Sequence, residues 1–216
     1  MSTETRNLAV ILGGALFVIG LGIFFFGSDD SQTATESPAD KNILVRQGSH
    51  QTNPGGKVTV VEFGDYQCPA CAAAYSAIKA IEEKYKDSKD FNFVFRNFPL
   101  PMHRNALVAA EAAEAAAEQG KFWEMNNALY EHQKDWGESS DAMKFFLQYA
   151  KDIGLNTDEF QKAVTDEKFA DVISKDKSDG NTLGVDSTPT FYINGEKFVG
   201  IPGSDFKAKI ENDLKQ

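Results

Sequence analysis

Cys68 and Cys71 are the only thiols in a chain of 216 residues, and Pro69 and Ala70 separate them. Two thiols at this spacing can open and close a disulfide, share a zinc ion with other ligands, or form an inert cross-link. A structural zinc needs four ligands. The missing ones would have to come from His50, His103 and His132, none of which stands at ligand spacing from another. An inert cross-link over so short a loop gains little from closure entropy. Reversible disulfide chemistry is the reading that the spacing favours. The reacting species in such chemistry is the thiolate, and a helix N-terminus with its unpaired N–H groups stabilises it. Cys68 then attacks, and Cys71, one helical turn on, resolves the mixed disulfide. No metal is expected. No cofactor is expected either, since no Gly-x-Gly-x-x-Gly turn follows the first strand and there is no Walker motif.

The elements needed to hold such a pair are legible around it. Residues 57–63, Lys-Val-Thr-Val-Val-Glu-Phe, are β-branched and nearly all apolar, as in a strand buried on both faces. Gly64-Asp65-Tyr66-Gln67 breaks the run. From Pro69 to about Lys86, Ala74, Ile78, Ile81 and Tyr85 recur at helical spacing, and Pro69 suits a first helical position because its missing N–H would be unpaired there. Residues 91–98 form a second strand, so the opening reads as a βαβ unit with parallel strands.

Residues 103 to about 180 then read as helices. They cover about 103–119 (Ala-rich, stopping at Gly120), 121 to about 133, 139 to about 154, 158–164 and 168–176. Phe122, Trp123 and Met125 are expected to pack. Strands at 190–193 and 197–199 flank Asn194-Gly195, a hairpin signal, and Ser204 is expected to cap a last helix. This order predicts one α/β domain with a helical insertion.

Glu62 stands in a strand whose neighbours are apolar. It is either an exposed strand-end carboxylate or a buried acid beneath the cysteines, where desolvation would raise its pKa and suit it to proton relay.

The N-terminus bears on location. Residues 8–26 are 19 uncharged, apolar residues without a polar face, long enough to cross about 30 Å of hydrocarbon as a helix. Arg6 precedes the stretch, and Asp29, Asp30 and Glu36 follow it, which orients the short end 1–7 toward the cytoplasm. The stretch exceeds a signal-peptide core and lacks an Ala-x-Ala site, so an uncleaved signal-anchor over 8–27 is expected. Residues 28–56 are polar and read as a flexible tether. The domain, 57–216, would lie on the extracytoplasmic side of a single-pass chain, where disulfides persist. Apolar residues make up 42% and charged residues 25%, which excludes a disordered or collagen-like chain. A net charge of −10 argues against nucleic-acid binding. A mean hydropathy of −0.37 excludes a multi-span membrane protein.

Four segments taken together resemble the DsbA-like branch of the thioredoxin superfamily, most closely its membrane-anchored extracytoplasmic thiol–disulfide oxidoreductases. They are Val-Glu-Phe-Gly-Asp-Tyr-Gln-Cys-Pro-Ala-Cys (61–71), Arg-Asn-Phe-Pro-Leu-Pro-Met-His (96–103), Gly-Lys-Phe-Trp-Glu-Met (120–125) and Gly-Val-Asp-Ser-Thr-Pro-Thr-Phe-Tyr-Ile-Asn-Gly (184–195). The resemblance implies a thioredoxin fold with an inserted helical domain. It implies that Cys68 attacks, that Cys71 resolves from a buried position, and that Glu62 is the buried acid. Thr188-Pro189 resembles the family's cis-proline dipeptide, which lies against the sulfurs and pairs with substrate backbone. His103 matches a family position and is expected to make a structural hydrogen bond. Pro69-Ala70 departs from the strongly oxidising relatives, which carry a His in the second place. Ala70 therefore implies a weaker oxidant.

The expectation is a dithiol oxidase that introduces disulfides into thiol-containing client proteins and is re-oxidised by a membrane-embedded, quinone-linked partner. A reductase or isomerase is the alternative, and a tethered peptide-binding module without turnover is a third reading. A monomer is the default, since no coiled-coil heptads are present.

Overall fold

In the computed structural model, residues 38–216 are described. The expected cytoplasmic end, the anchor at 8–27 and the tether up to residue 37 lie outside the described residues. Among the described residues, no helix is long and apolar enough to cross a membrane.

Five strands form one sheet among these residues: β1 (His50–Gln51), β2 (Val58–Gly64), β3 (Phe91–Asn97), β4 (Thr190–Ile193) and β5 (Glu196–Val199). Their order is β1-β3-β2-β4-β5. β2 and β3 are parallel, with Glu62 opposite Phe95, while β4 runs antiparallel to β2 and places Phe191 beside Glu62. The expected βαβ unit is present, its crossover being α2 (Pro69–Tyr85).

β2 is apolar along its length because both of its faces are covered. Val58 and Val60 join a cluster with Cys71, Ala74, Ile78 and Ile81 of α2. Val61 and Phe63, one residue out of phase, join Val94, Phe98, Val185 and Tyr192 on the opposite face. Glu62 therefore shares the α2 face with Val58 and Val60.

Six helices stand between β3 and β4: α3 (Ala106–Glu118), α4 (Phe122–Glu131), α5 (Gln133–Trp136), α6 (Met143–Asp152), α7 (Thr157–Thr165) and α8 (Ala170–Thr182). α9 (Ser204–Lys215) closes the chain. The helical insertion is thus as expected. α3 is buried nearly all round, with Ala109, Ala112, Ala113 and Ala116 among its sealed positions, since methyl side chains let neighbouring helices approach closely. Phe122 and Met125 lie in the core and Trp123 packs against it.

Four details differ from expectation. The helix read over 121–133 is broken: α4 ends at Glu131, and α5 begins at Gln133 after His132. α8 runs on to Thr182 because its polar residues Asp176 and Asp179 are turned inward onto Arg96, which is fully buried. The last helix is capped at Gly203 with no side-chain hydrogen bond, so Ser204 is its first residue rather than its cap.

The fourth difference concerns the tether. From Pro38 onward the segment read as tether is folded onto the domain as α1 (Lys41–Leu44) and β1. Leu44 is buried, and Arg96 Nη1 donates to the carbonyls of Ile43 and Leu44 at 2.8 and 2.9 Å. Arg46 also pairs with Asp176 at 2.8 Å and His50 with Glu114 at 2.9 Å, and a segment held by such polar contacts around one Leu has no apolar period to betray it.

Candidate active site

Cys68 is the N-cap of α2, and Pro69 occupies its first turn. The strand must end before the cysteine, and a set of polar side chains fixes how it does so. Asp65 Oδ1 accepts from the Gln67 N–H at 2.8 Å. Its Oδ2 accepts from the Leu100 N–H at 2.8 Å and pairs with His103 Nδ1 at 2.7 Å. The Gln67 amide donates to the Gly137 carbonyl at 2.6 Å, and its oxygen accepts from the Asn105 N–H at 2.6 Å. Gln133 Nε2 donates to the carbonyls of Tyr66 and Cys68 at 2.7 and 2.9 Å. The active-site turn is therefore clamped by the insertion as well as by its own strand and helix.

Both cysteines are free thiols, so the structure holds the reduced pair. Cys68 is 7% exposed and Cys71 is fully buried. The Cys68 thiol donates to the Thr188 carbonyl at 3.3 Å, and the Thr188–Pro189 peptide is cis. The Cys68 pKa falls from 9.0 to about 5. The main cause is the Cys71 thiol donating to the Cys68 anion. The Thr188 side chain and the N–H groups of Cys71 and Ala70 add to it, against a desolvation that acts the other way. Cys71 is driven well above its ordinary value by burial first, then by giving its hydrogen bond to Cys68, and then by the charge of Glu62.

Glu62 is 3% exposed, the buried alternative of the two left open by the sequence. Burial raises its pKa from 4.5 to about 8, with smaller contributions from Glu82 and Cys68. At neutral pH it holds a proton, and its charge, once formed, bears on Cys71. Ala70 supplies its backbone N–H where a His would supply a cation.

The structure brings Cys68 and the active-site turn against Thr188 and Pro189 of a distant loop, and the buried Glu62 bears electrostatically on both cysteines. His103 takes the structural hydrogen bond expected of it. The sequence reading missed Asp65, Gln67, Asn105 and Gln133. The polar run Gly-Asp-Tyr-Gln before Cys68 carried a signal, having been read only as a break; Gln133, far along the chain, carried none. Among the described residues, no group of His, Cys, Asp and Glu could hold a metal ion.

The family described as Thioredoxin matches residues 46–212. The chain belongs to the thioredoxin family. Within it, the thioredoxin-like oxidoreductase from Silicibacter pomeroyi has a similar structure, with a TM-score of 0.68 and 27% identity over 82% of this chain and 99% of that one. Oxidised BdbD from Bacillus subtilis is similar at a TM-score of 0.68 and 28% identity, over 78% of this chain and 94% of its own. Fold and neighbours together make this thioredoxin-family chain a thiol–disulfide oxidoreductase of the DsbA-like type. A curated relative, the Na(+)/H(+) antiporter NhaA 1 of Salinispora arenicola, is 41% identical over 144 residues, 66% of this chain. The thioredoxin-family chain spans about a fifth of that relative's length, 21%.

Proposed function

We propose that the chain is an extracytoplasmic dithiol oxidase, anchored by residues 8–27, that introduces disulfides into client proteins. The observation that carries this reading is the split between the two thiols: Cys68 ionises at about 5 while Cys71 stays protonated well above its ordinary value. A stabilised Cys68 thiolate favours the reduced enzyme, and a couple whose reduced form is favoured oxidises others.

In the oxidised enzyme a client thiolate attacks the Cys68 sulfur. The client–Cys68 bond forms as the Cys68–Cys71 bond breaks, and Cys71 leaves as a thiolate that takes the Glu62 proton. A second client thiolate attacks the client sulfur of the mixed disulfide, the client disulfide forms, and Cys68 leaves as a thiolate. Two electrons have passed from client to enzyme. A membrane-embedded redox partner, quinone-linked by the resemblance, then takes them. Thr188 and Pro189 receive the client backbone in this scheme, and the exposed Val199 and Ile201 stand beside them, Gly200 donating to the Pro189 carbonyl at 2.9 Å.

Cys68→Ala tests the reading against that of a binding module. It is expected to abolish thiol oxidation of a reduced model protein. Undiminished oxidation by Cys68→Ala would sink the redox assignment, and lost oxidation with a reducing preference in the wild type would turn it to a reductase.

A further inference from the structure

The Tyr130 hydroxyl on α4 is buried and has no hydrogen-bond partner. A lone buried hydroxyl is destabilising, and a Phe ring would fill the same slot without that cost. The ring cannot easily turn away. It packs against Tyr66 at 5.0 Å and stacks on Tyr75 at 5.4 Å between centroids, with Phe95 edge-on at 6.3 Å.

Where the hydroxyl points is fixed by a glycine. A Cβ on Gly64 would lie 2.9 Å from the Tyr130 oxygen and 2.6 Å from Phe95 Cε2. Gly64 is not among the residues with positive φ, so its backbone does not call for glycine; the space does. Gly64 follows Glu62 by two residues in β2, and the period of a strand puts its missing side chain on the Glu62 face. The notch at Gly64 thus admits the Tyr130 hydroxyl to the face that carries Glu62 and packs on Cys71.

The titratable groups that bear on it and on Glu62 are acids, thiols and a phenol, and the nearby Lys79 is paired with Glu82. Cys71 and Glu62, then Tyr66 and Asp65, bear on Tyr130, and Glu82 and Cys68 bear on Glu62. Each of these is neutral or negative, so an anion formed at the Glu62–Cys71 pair finds no cation among them. It needs a hydrogen-bond donor instead, and in the resting reduced state, with Glu62 and Cys71 both protonated, that donor is idle.

We infer that Tyr130 is a positioning residue for the buried half of the dithiol reaction, its hydroxyl donating to the anion formed as the proton passes between Cys71 and Glu62. The inference rests on the role proposed for Glu62. The step it serves is the resolution of a Cys68 mixed disulfide. Cys71 gives its proton to the Glu62 carboxylate and its sulfur attacks Cys68. The Cys68–Cys71 bond forms as the bond from Cys68 to the outer sulfur breaks, and the outer thiol leaves as a thiolate.

The test mixes the reduced full chain, in detergent, with oxidised glutathione and follows both steps by acid quench: attack by Cys68, then resolution by Cys71 with release of glutathione. In the wild type the second rate rises through the Glu62 inflection, and Glu62→Gln removes that inflection. Tyr130→Phe is expected to leave the first step unchanged, to slow the second about tenfold near neutral pH, and to move the inflection up by about one unit. The infrared band of the protonated Glu62 carboxyl, titrated in the same variant, is expected to shift its midpoint likewise. A Tyr130→Phe profile within about twofold of wild type at every pH, with Glu62→Gln altered, overturns the inference alone. Equal slowing of both steps makes Tyr130 a packing residue and also overturns it. An unchanged Glu62→Gln profile overturns the Glu62 role and this inference together.

Discussion

The side-chain amide of Gln133 donates to the carbonyl of Cys68 at 2.9 Å, and to that of Tyr66 at 2.7 Å. One residue of the inserted helices thereby holds both ends of the active-site turn. The Cys68 carbonyl also accepts from the Ala72 N–H, the first bond of α2, so Gln133 adds to a helix start that is already formed. The insertion is a support for the chemistry as well as a neighbour of it.

Gln133→Leu leaves the Tyr66 carbonyl without this donor. The expected loss is about 1–3 kcal/mol of stability, read as a lowered urea midpoint at unchanged slope. A midpoint equal to the wild type's would mean that the turn is held by Asp65 and Gln67 alone.

Cys68 and Cys71 are expected to separate in alkylation. The rate of Cys68 modification by iodoacetamide should rise with pH and level off through an inflection near 5, following its thiolate. Cys71, fully buried and held protonated, should stay unmodified in the native chain throughout. A single inflection in the ordinary thiol range for Cys68 would contradict the stabilisation by Cys71, Thr188 and the turn amides.

Glu62 gives a stability signature of definite sign. Its folded pKa, about 8, lies above its ordinary 4.5, so between these values the folded chain binds the proton and the unfolded chain does not. Stability then falls as pH rises from 4.5 to 8, by up to about 5 kcal/mol from this group alone, and the loss is complete above 8. Glu62→Gln removes the group. It is expected to raise the urea midpoint at pH 8 and to change it little at pH 4.5. Equal midpoints for the variant and the wild type at both pH values would place the Glu62 carboxyl in contact with water.

The parts legible in the sequence are those whose signal is local. β2 reads as a strand because burial on both faces leaves a continuous apolar run, and α2 reads as a helix from Pro69 because a first-turn proline and an apolar stripe agree. The insertion is visible as a long stretch of helical period. Glu62 is visible as an exception within β2, although its burial depends on what covers the strand. The rest depends on residues far apart in the chain. Residues 38–56 fold through partners far along the chain, Arg96 donating to the Ile43 and Leu44 carbonyls, Arg46 pairing with Asp176 and β1 pairing with β3, which no periodicity records. The break at His132 falls in the polar run 131–135, where no apolar period marks it, and it brings Gln133 to the turn. Tyr130 looks like one more core aromatic until the notch at Gly64 shows where its hydroxyl goes.

The reduction potential of the Cys68–Cys71 couple, measured in defined glutathione buffers, tests the central claim most directly. A Cys68 pKa of about 5 lies between about 7 for thioredoxin and about 3.5 for DsbA. The expected potential is accordingly above about −200 mV, toward the −120 mV of DsbA, as an oxidase requires. A potential at or below about −230 mV, toward the −270 mV of thioredoxin, would contradict the oxidase reading and make the chain a reductase.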